Sequence, residues 1–401
     1  MGPVEQNTEE AVESARPVSV RPTSEQLPLL ERWGVDYFRN LSKTYGPIDA
    51  GDGVSYLNPD ERKALRRVVR AGVIRAAIAG ALSTVVSGTA EILARHALHP
   101  DSPHATTETQ VKLWSVIIAS TAIASIFEIA YLYWDGLKTV HELSREAGLE
   151  LFPQGERTAV SQAMARAALE LPNPTAAVFG VDPRREASKM GLFFASIVYK
   201  AKISVSNFVV KALVRRAASR AFVRAWLPLV AVPVTAAWNG IVAWLILREA
   251  RVRAMGPSAA IEMIEELFQG LPPLSDPGRA AALRAVASSI VRTRDMHPNL
   301  VELLVRVREK VGDIDTHALD DPREFLACLE HLPKPEQNLV IGILSVAAIL
   351  DGRITRAERK LVAFARVACG KRADFTRLEV LRRRFMDGDA LDRALLRAVA
   401  D

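Results

Sequence analysis

Two glutamates stand inside the longest apolar runs of this chain. Glu91 falls in the run from Ala76 to Leu93, and Glu128 in the run from Leu113 to Tyr133. A carboxylate at membrane depth is expensive unless it is paired, protonated or near an interface. Two facing carboxylates can share a proton, so Glu91 and Glu128 across a helical hairpin would make a proton-linked path. The simpler arrangement sets each against the interface or a polar neighbour such as Arg95.

Two further groups could hold a metal. Asp351-Gly352-Arg353-Ile354-Thr355-Arg356-Ala357-Glu358 matches the second half of a calcium-binding loop, with Asp351 as fifth ligand and Glu358 as twelfth. The first and third ligands would be Ala347 and Ile349, which offer no side-chain oxygen, so Asp351 and Glu358 support weak divalent binding at most. The competing expectation is purely structural: Gly352 ends one helix, Thr355 caps the next, and Glu358 completes a capping box. His96, His99 and His104 lie near Asp101 between two apolar runs, but their spacing fits no specific metal pattern. No phosphate-binding loop, dinucleotide glycine fingerprint, zinc-protease His-Glu-x-x-His or nucleophile elbow occurs, so the chain reads as non-enzymatic and without a cofactor. Cys328 and Cys369 lie in apolar helical patterns and read as core.

Charge placement is more informative than the net charge of +6 over 401 residues. No Asp or Glu occurs from Ala187 to Arg248, a stretch that carries Lys200, Lys211, Arg215, Arg216, Arg220 and Arg224. Lys200, Ser204, Asn207, Lys211 and Arg215 recur at helical spacing as one polar stripe. Basic residues alternating with apolar runs suit an anionic membrane surface better than a nucleic-acid groove. These six cations are the expected lipid-binding residues.

The elements that must position these groups are helical. Asn58-Pro59-Asp60-Glu61 and Asp321-Pro322-Arg323-Glu324 carry a cap residue, an early proline and a third-position glutamate. Asp182-Pro183 and Asp276-Pro277 give the first half of that signature. No sustained period-two alternation intervenes, so the chain reads as all-α. Apolar residues are 49% and charged residues 24%, as in an ordinary folded protein. Three apolar segments, 76–93, 113–133 and 225–247, approach or exceed the span of a bilayer core. Trp114, Tyr131, Tyr133 and Trp134 flank the second, where interfacial aromatics belong. Ser83-Thr84 before Glu91 and Ser120-Thr121 before Glu128 repeat one spacing, which suggests a helical hairpin. Pro228 and Pro233 interrupt the third segment, predicting a re-entrant piece or a fresh helix from Pro233 to about Arg251.

Positive charge before the first segment and its absence from His99 to Gln110 place both termini in the cytoplasm. Residues 1–25 read as a disordered tail without a signal peptide. The expected organisation continues with a hairpin region at 26–150, basic and hydrophobic helices at 151–255, a helical linker region at 256–334 and a small bundle at 335–401. From about Gly256 onward, helices are expected over 277–292, 298–311, 322–332, 336–350, 356–369, 374–385 and 389–399.

Two resemblances follow from particular residues. Leu229-Val230-Ala231-Val232-Pro233-Val234-Thr235-Ala236-Ala237-Trp238-Asn239-Gly240, after a Lys-rich amphipathic helix, resembles the EcsC family over about 187–255. That family usually has more glycine after the proline, where this chain has Thr235, Ala236 and Ala237. The run Leu339 to Leu350, followed by Asp351-Gly352 and a helix opening at Glu358, resembles TerB-like domains over about 335–401. The resemblances imply a helical bacterial protein of the cytoplasmic membrane with a small module linked to envelope stress and an acidic metal-interacting surface. Arg353, Arg356, Arg359 and Lys360 make this copy basic instead. The expected role is a membrane-associated adaptor or stress-response component, holding lipid through the basic helix and a protein partner or ion through the C-terminal domain. A small oligomeric transporter or pore using Glu91 and Glu128, and a soluble helical scaffold, are the alternatives.

Overall fold

The computed structural model describes residues 28–46, 57–100, 102, 106–152, 159–174, 177–185, 227–312 and 319–401. The six cations from Lys200 to Arg224 lie outside the described residues, as do Asp101, His104 and the 1–25 tail. The described residues form twelve α-helices and no strand: α1 Leu29–Tyr45, α2 Pro59–Leu98, α3 Thr107–Glu146, α4 Ala159–Ala168, α5 Leu227–Phe268, α6 Asp276–Thr293, α7 Pro298–Val311, α8 Pro322–Leu329, α9 Lys334–Ala347, α10 Arg356–Ala368, α11 Thr376–Asp387 and α12 Arg393–Ala400.

Local chemistry sets the helix starts. Asn58 Oδ1 accepts from the amides of Asp60 and Glu61, and the Glu61 carboxylate returns to the Asn58 amide at 2.8 Å, a full capping box. Asp321 caps α8 through the Arg323 and Glu324 amides. At α6 the cap is Ser275, not Asp276, and Pro277 occupies the second helical position. Asp182 starts no helix among the described residues; its carboxylate accepts the Arg184 amide in a local turn.

Three helices are long and apolar enough to cross a membrane: α2, α3 and most of α5. α2 and α3 form the expected hairpin, and α5 packs along α2, antiparallel to it, so that Gly80 meets Thr235 and Asn239 while Gly72 meets Leu247. The proline break expected in α5 does not occur. The helix passes through Pro233 and Pro257 and ends at Phe268, well beyond Arg251. One interior proline costs about 3 kcal/mol. Against that stands a helix of 42 residues packed along α2 and, lower down, against α4, α7 and α9.

The lower halves of α2, α3 and α5 continue into one core with α1, α4 and α6 through α12. Phe38, Leu65, Leu143, Met164, Met255, Ile290, Leu300 and Phe325 are all fully buried in it. The helices on either side of residues 255 and 334 share that core, and α5 itself runs through 255–256. A second, small cluster of Ala94, Leu113 and Ile117 closes the far tip of the hairpin.

Candidate functional site: a polar seam within an apolar three-helix unit

The upper halves of the three long helices are turned inside out relative to a soluble core. Ile78, Leu82, Val86 and Leu93 of α2, Ile118, Ile126 and Phe127 of α3, and Ile241 and Leu245 of α5 face outward. Ser83, Thr84, Ser87, Thr121, Glu128, Thr235 and Asn239 face inward. Adjacent residues show the inversion: Phe127 is 72% exposed and Glu128 is 4% exposed. Water would penalise such a surface at the usual cost per unit apolar area. Hydrocarbon would not.

Charges bound this surface at bilayer spacing. From Arg75 to Arg95 on α2 is 20 residues, about 30 Å at the helical rise. The 227–247 part of α5 has no charged side chain. At the lower boundary Arg75 Nε donates to Asp135 Oδ1 at 2.6 Å, and its Nη2 donates to Thr139 Oγ1 at 2.7 Å. Aromatics collect at that level. The Tyr131 and Trp134 rings are tilted 50° to each other, Lys138 sits over the Trp134 ring, and Arg248 sits 5.9 Å from the Trp244 ring centre. Tryptophan and tyrosine favour this border because their rings are apolar and their N–H or O–H is polar.

Inside, a seam of polar groups holds the helices together. Asn239 Nδ2 donates to Glu128 Oε1 at 2.7 Å. The Thr84 and Thr235 hydroxyls lie 2.7 Å apart, and Thr235 also reaches the Gly80 carbonyl. Gly80 lets the backbones approach: a Cβ there would stand 2.6 Å from Asn239 Nδ2 and 2.9 Å from the Thr235 carbonyl. Ser83 Oγ donates to the Ala124 carbonyl at 3.4 Å, tying α2 to α3.

Glu91 and Glu128 do not meet. Ser83 and Ala124 fix the register, which puts the two carboxylates about 18 Å apart along the helices. Glu91 pairs with Arg95 at 3.1 Å. The shared-proton pair across the hairpin is therefore corrected: each glutamate has its own polar neighbour.

The turn between α9 and α10 follows its structural expectation at Thr355 and Glu358, whereas α9 already ends at Ala347 and Gly352 closes the turn beyond it. Gly352 takes φ of +74°, the Thr355 hydroxyl accepts the Glu358 amide, and the Glu358 carboxylate accepts the Thr355 amide at 2.9 Å and the Ser289 hydroxyl at 3.1 Å. Asp351 accepts the Arg353 amide at 2.7 Å. Burial, and next the Glu358 charge, push Asp351 up to about 8. Burial pushes Glu358 up to about 7, against its hydrogen bonds. Among the described residues no group of three or more His, Cys, Asp or Glu could hold a metal ion. His96 and His99 have ring centres 5.9 Å apart near the hairpin tip. Cys369 is buried and Cys328 half-buried, and burial raises both thiols.

Sequence reasoning marked Glu128 but not its partners. The available signal was Thr235 and Asn239, four residues apart on a charge-free run, opposite Gly80 and Thr84 with the same spacing. Comparison of the chain with protein-family models, with curated proteins and with solved structures finds no match in any of the three.

Proposed function

We propose that this protein is a non-enzymatic, membrane-anchored adaptor with its helical bundle in the cytoplasm. The observation that carries the reading is the continuity of α2, α3 and α5. Each is 40 or 42 residues long, with an apolar exterior in one half and a place in the bundle core in the other. The C-terminal helices grip two of them directly. Arg62 near the start of α2 pairs with Asp389, and Arg248 of α5 donates to the Gly352 carbonyl at 3.1 Å. A displacement of the membrane helices would thus reach the α9–α12 surface without a flexible linker.

Orientation follows from the basic residues Arg62, Lys63, Arg66, Arg67 and Arg70 at the bundle end, against a connection from His99 to Gln110 without Lys or Arg. The basic Lys200–Arg224 segment adds lipid contact in this reading. The EcsC-like and TerB-like resemblances fit a bacterial envelope-stress role, with the C-terminal surface recruiting a protein partner. The outward apolar side chains weigh against a soluble scaffold, and the close packing at Gly80 weighs against a transport path along the α2–α5 seam.

The test is extraction and topology. Membranes are washed in high salt and then in alkaline carbonate, and retention in the pellet after both is expected. In a Cys328→Ala/Cys369→Ala background, Ser102→Cys should react with an impermeant maleimide from outside intact cells. Protein found soluble at the start overturns the anchor, and a labelled Asp401→Cys together with an unlabelled Ser102→Cys overturns the orientation.

A further inference from the structure

The place where α5 leaves the apolar zone has a surplus of positive charge. Arg248 is the first charged residue after the charge-free 227–247 run, and its guanidinium stands over Trp244, a half-exposed lipid-level ring. Its Nη2 donates to the Gly352 carbonyl at 3.1 Å, and Arg382 Nη1 of α11 donates to the same oxygen at 3.1 Å. Two guanidiniums therefore converge on one neutral acceptor. Arg353, next in the chain, is exposed, and its charge and that of Arg382 act on Arg248 against a smaller opposite pull from Glu249 and Asp351.

The acids nearby do not balance these cations. Glu379 is shared by Arg382 at 2.6 Å, Arg359 at 3.8 Å and Arg383 at 3.9 Å. Glu249 is engaged by Arg253 at 3.0 Å and His297 at 3.1 Å. Asp351 turns its carboxylate to the Arg353 amide, and burial beside Glu358 disfavours its charge. Among the described residues no carboxylate pairs with Arg248 or Arg353. The backbone is specialised as well. Gly352 has φ of +74°, and a Cβ on it would lie 2.7 Å from Met386 Sδ and 2.9 Å from Val252, so the turn presses its carbonyl toward the arginines only as glycine.

We propose that Arg248, Arg353 and Arg382 form a binding site for the phosphate headgroup of an anionic lipid, with Trp244 and Leu245 beside its acyl chains. The inference rests on the membrane-anchored reading and uses none of the six cations from Lys200 to Arg224. Guanidinium suits phosphate because its fork of N–H donors matches two phosphate oxygens. Interfacial tryptophan suits the glycerol level just below. Such a site would clamp the α9–α10 turn to α5 when anionic lipid is present, making the C-terminal surface sensitive to lipid composition.

The experiment uses the full chain in nanodiscs of phosphatidylcholine with one-tenth phosphatidylglycerol, followed by native mass spectrometry of the lipids that stay bound. Wild type should retain phosphatidylglycerol above its share. Arg353→Gln should lower that retention about fivefold, and Arg248→Gln/Arg353→Gln should lower it further, at the usual worth of a basic residue near an anionic surface. Arg248→Lys/Arg353→Lys should restore part of it. Arg353 is exposed, so its single variant remains informative if the double variant misfolds. Retention unchanged in Arg353→Gln and in Arg248→Gln overturns the site. Displacement of bound phosphatidylglycerol by millimolar inorganic phosphate overturns the lipid assignment in favour of a soluble phosphate ligand. Failure to enter these nanodiscs at all overturns instead the anchored reading on which the site rests.

Discussion

Asn239 of α5 donates a hydrogen bond to Glu128 of α3 at 2.7 Å, inside a helix unit whose outward residues are isoleucine, leucine and phenylalanine. The bond lies one turn from the Thr84–Thr235 contact and about 10 Å above Asp135. In hydrocarbon neither group has water to turn to, so their pairing helps fix both the rotation and the register of α5.

Asn239→Leu should therefore destabilise the helix unit. Hydrogen bonds between membrane helices contribute about 0.6 to 2 kcal/mol, and loss of a donor beside a buried carboxyl belongs at the upper end. Glu128→Leu in the same chain should recover part of the loss. A double-mutant cycle on unfolding in mixed micelles reads the coupling, and strict additivity would mean that the 2.7 Å contact does not contribute.

Gly80 faces Asn239 across the same seam. A side chain at Gly80 must displace Asn239 Nδ2, 2.6 Å from its Cβ, and the Thr235 backbone oxygen at 2.9 Å, which cannot swing away. Gly80→Ala should cost about 1 to 3 kcal/mol and Gly80→Leu more, as overpacking does elsewhere. Crosslinking between Val73→Cys and Gly240→Cys measures the effect, because Gly240 packs against Val73 in the intact seam. Crosslinking yield should fall in Gly80→Leu.

The all-α class, the hairpin and the positions of most soluble helices were legible in the sequence. Asn58-Pro59-Asp60-Glu61 writes its own start signal, because a capping box is decided within four residues. Thr355 and Glu358 were legible for the same reason. The uninterrupted α5 was not. A proline's local cost is visible at Pro233, whereas the gain that offsets it comes from α2, α4, α7 and α9, which lie far away in the chain. The seam was half legible: Glu128 was out of place in an apolar run, but its partner depended on a register between α3 and α5 that no local rule supplies. The Arg248–Arg382 convergence on Gly352 was hidden in the same way, since the three residues belong to α5, α11 and the α9–α10 turn.

Arg75 and Asp135 close the lower end of the unit. Asp135 is almost fully buried and takes the Arg75 guanidinium at 2.6 Å, while Thr139 takes the other arm. Removing the arginine alone strands a buried carboxylate, which typically costs about 3 to 5 kcal/mol. Arg75→Gln should be severe, and Arg75→Gln/Asp135→Asn much milder, in thermal unfolding of the detergent-solubilised protein. Equal loss in the single and double variants would count against a paired role.

The pH dependence of stability follows from Asp351, Glu358 and His141, all outside the apolar runs 76–93, 113–133 and 227–247. Asp351 is held at about 8 by burial and by Glu358, and Glu358 at about 7 by burial. In the unfolded chain both titrate near 4. Between these limits the folded chain binds more protons, so stability falls as pH rises and levels off above about 8. His141 has the opposite sign. Burial among Phe38, Tyr45 and Ser42, and then the Arg145 charge, lower it from 6.5 to about 4. The unfolded chain therefore binds the extra proton, and stability rises with pH from about 4 to 6.5. The two effects oppose each other below pH 6.5, and the carboxyls act alone above it. The unfolding midpoint should fall between pH 6.5 and 8 by the equivalent of about 2 kcal/mol. Asp351→Asn/Glu358→Gln should remove that slope and unmask the His141 rise from about pH 4 to 6.5. His141→Gln should instead steepen the fall below pH 6.5, where the imidazole no longer opposes the carboxyls, and spare the slope above it. A slope unchanged by the carboxyl pair would place the titrating groups elsewhere in the bundle.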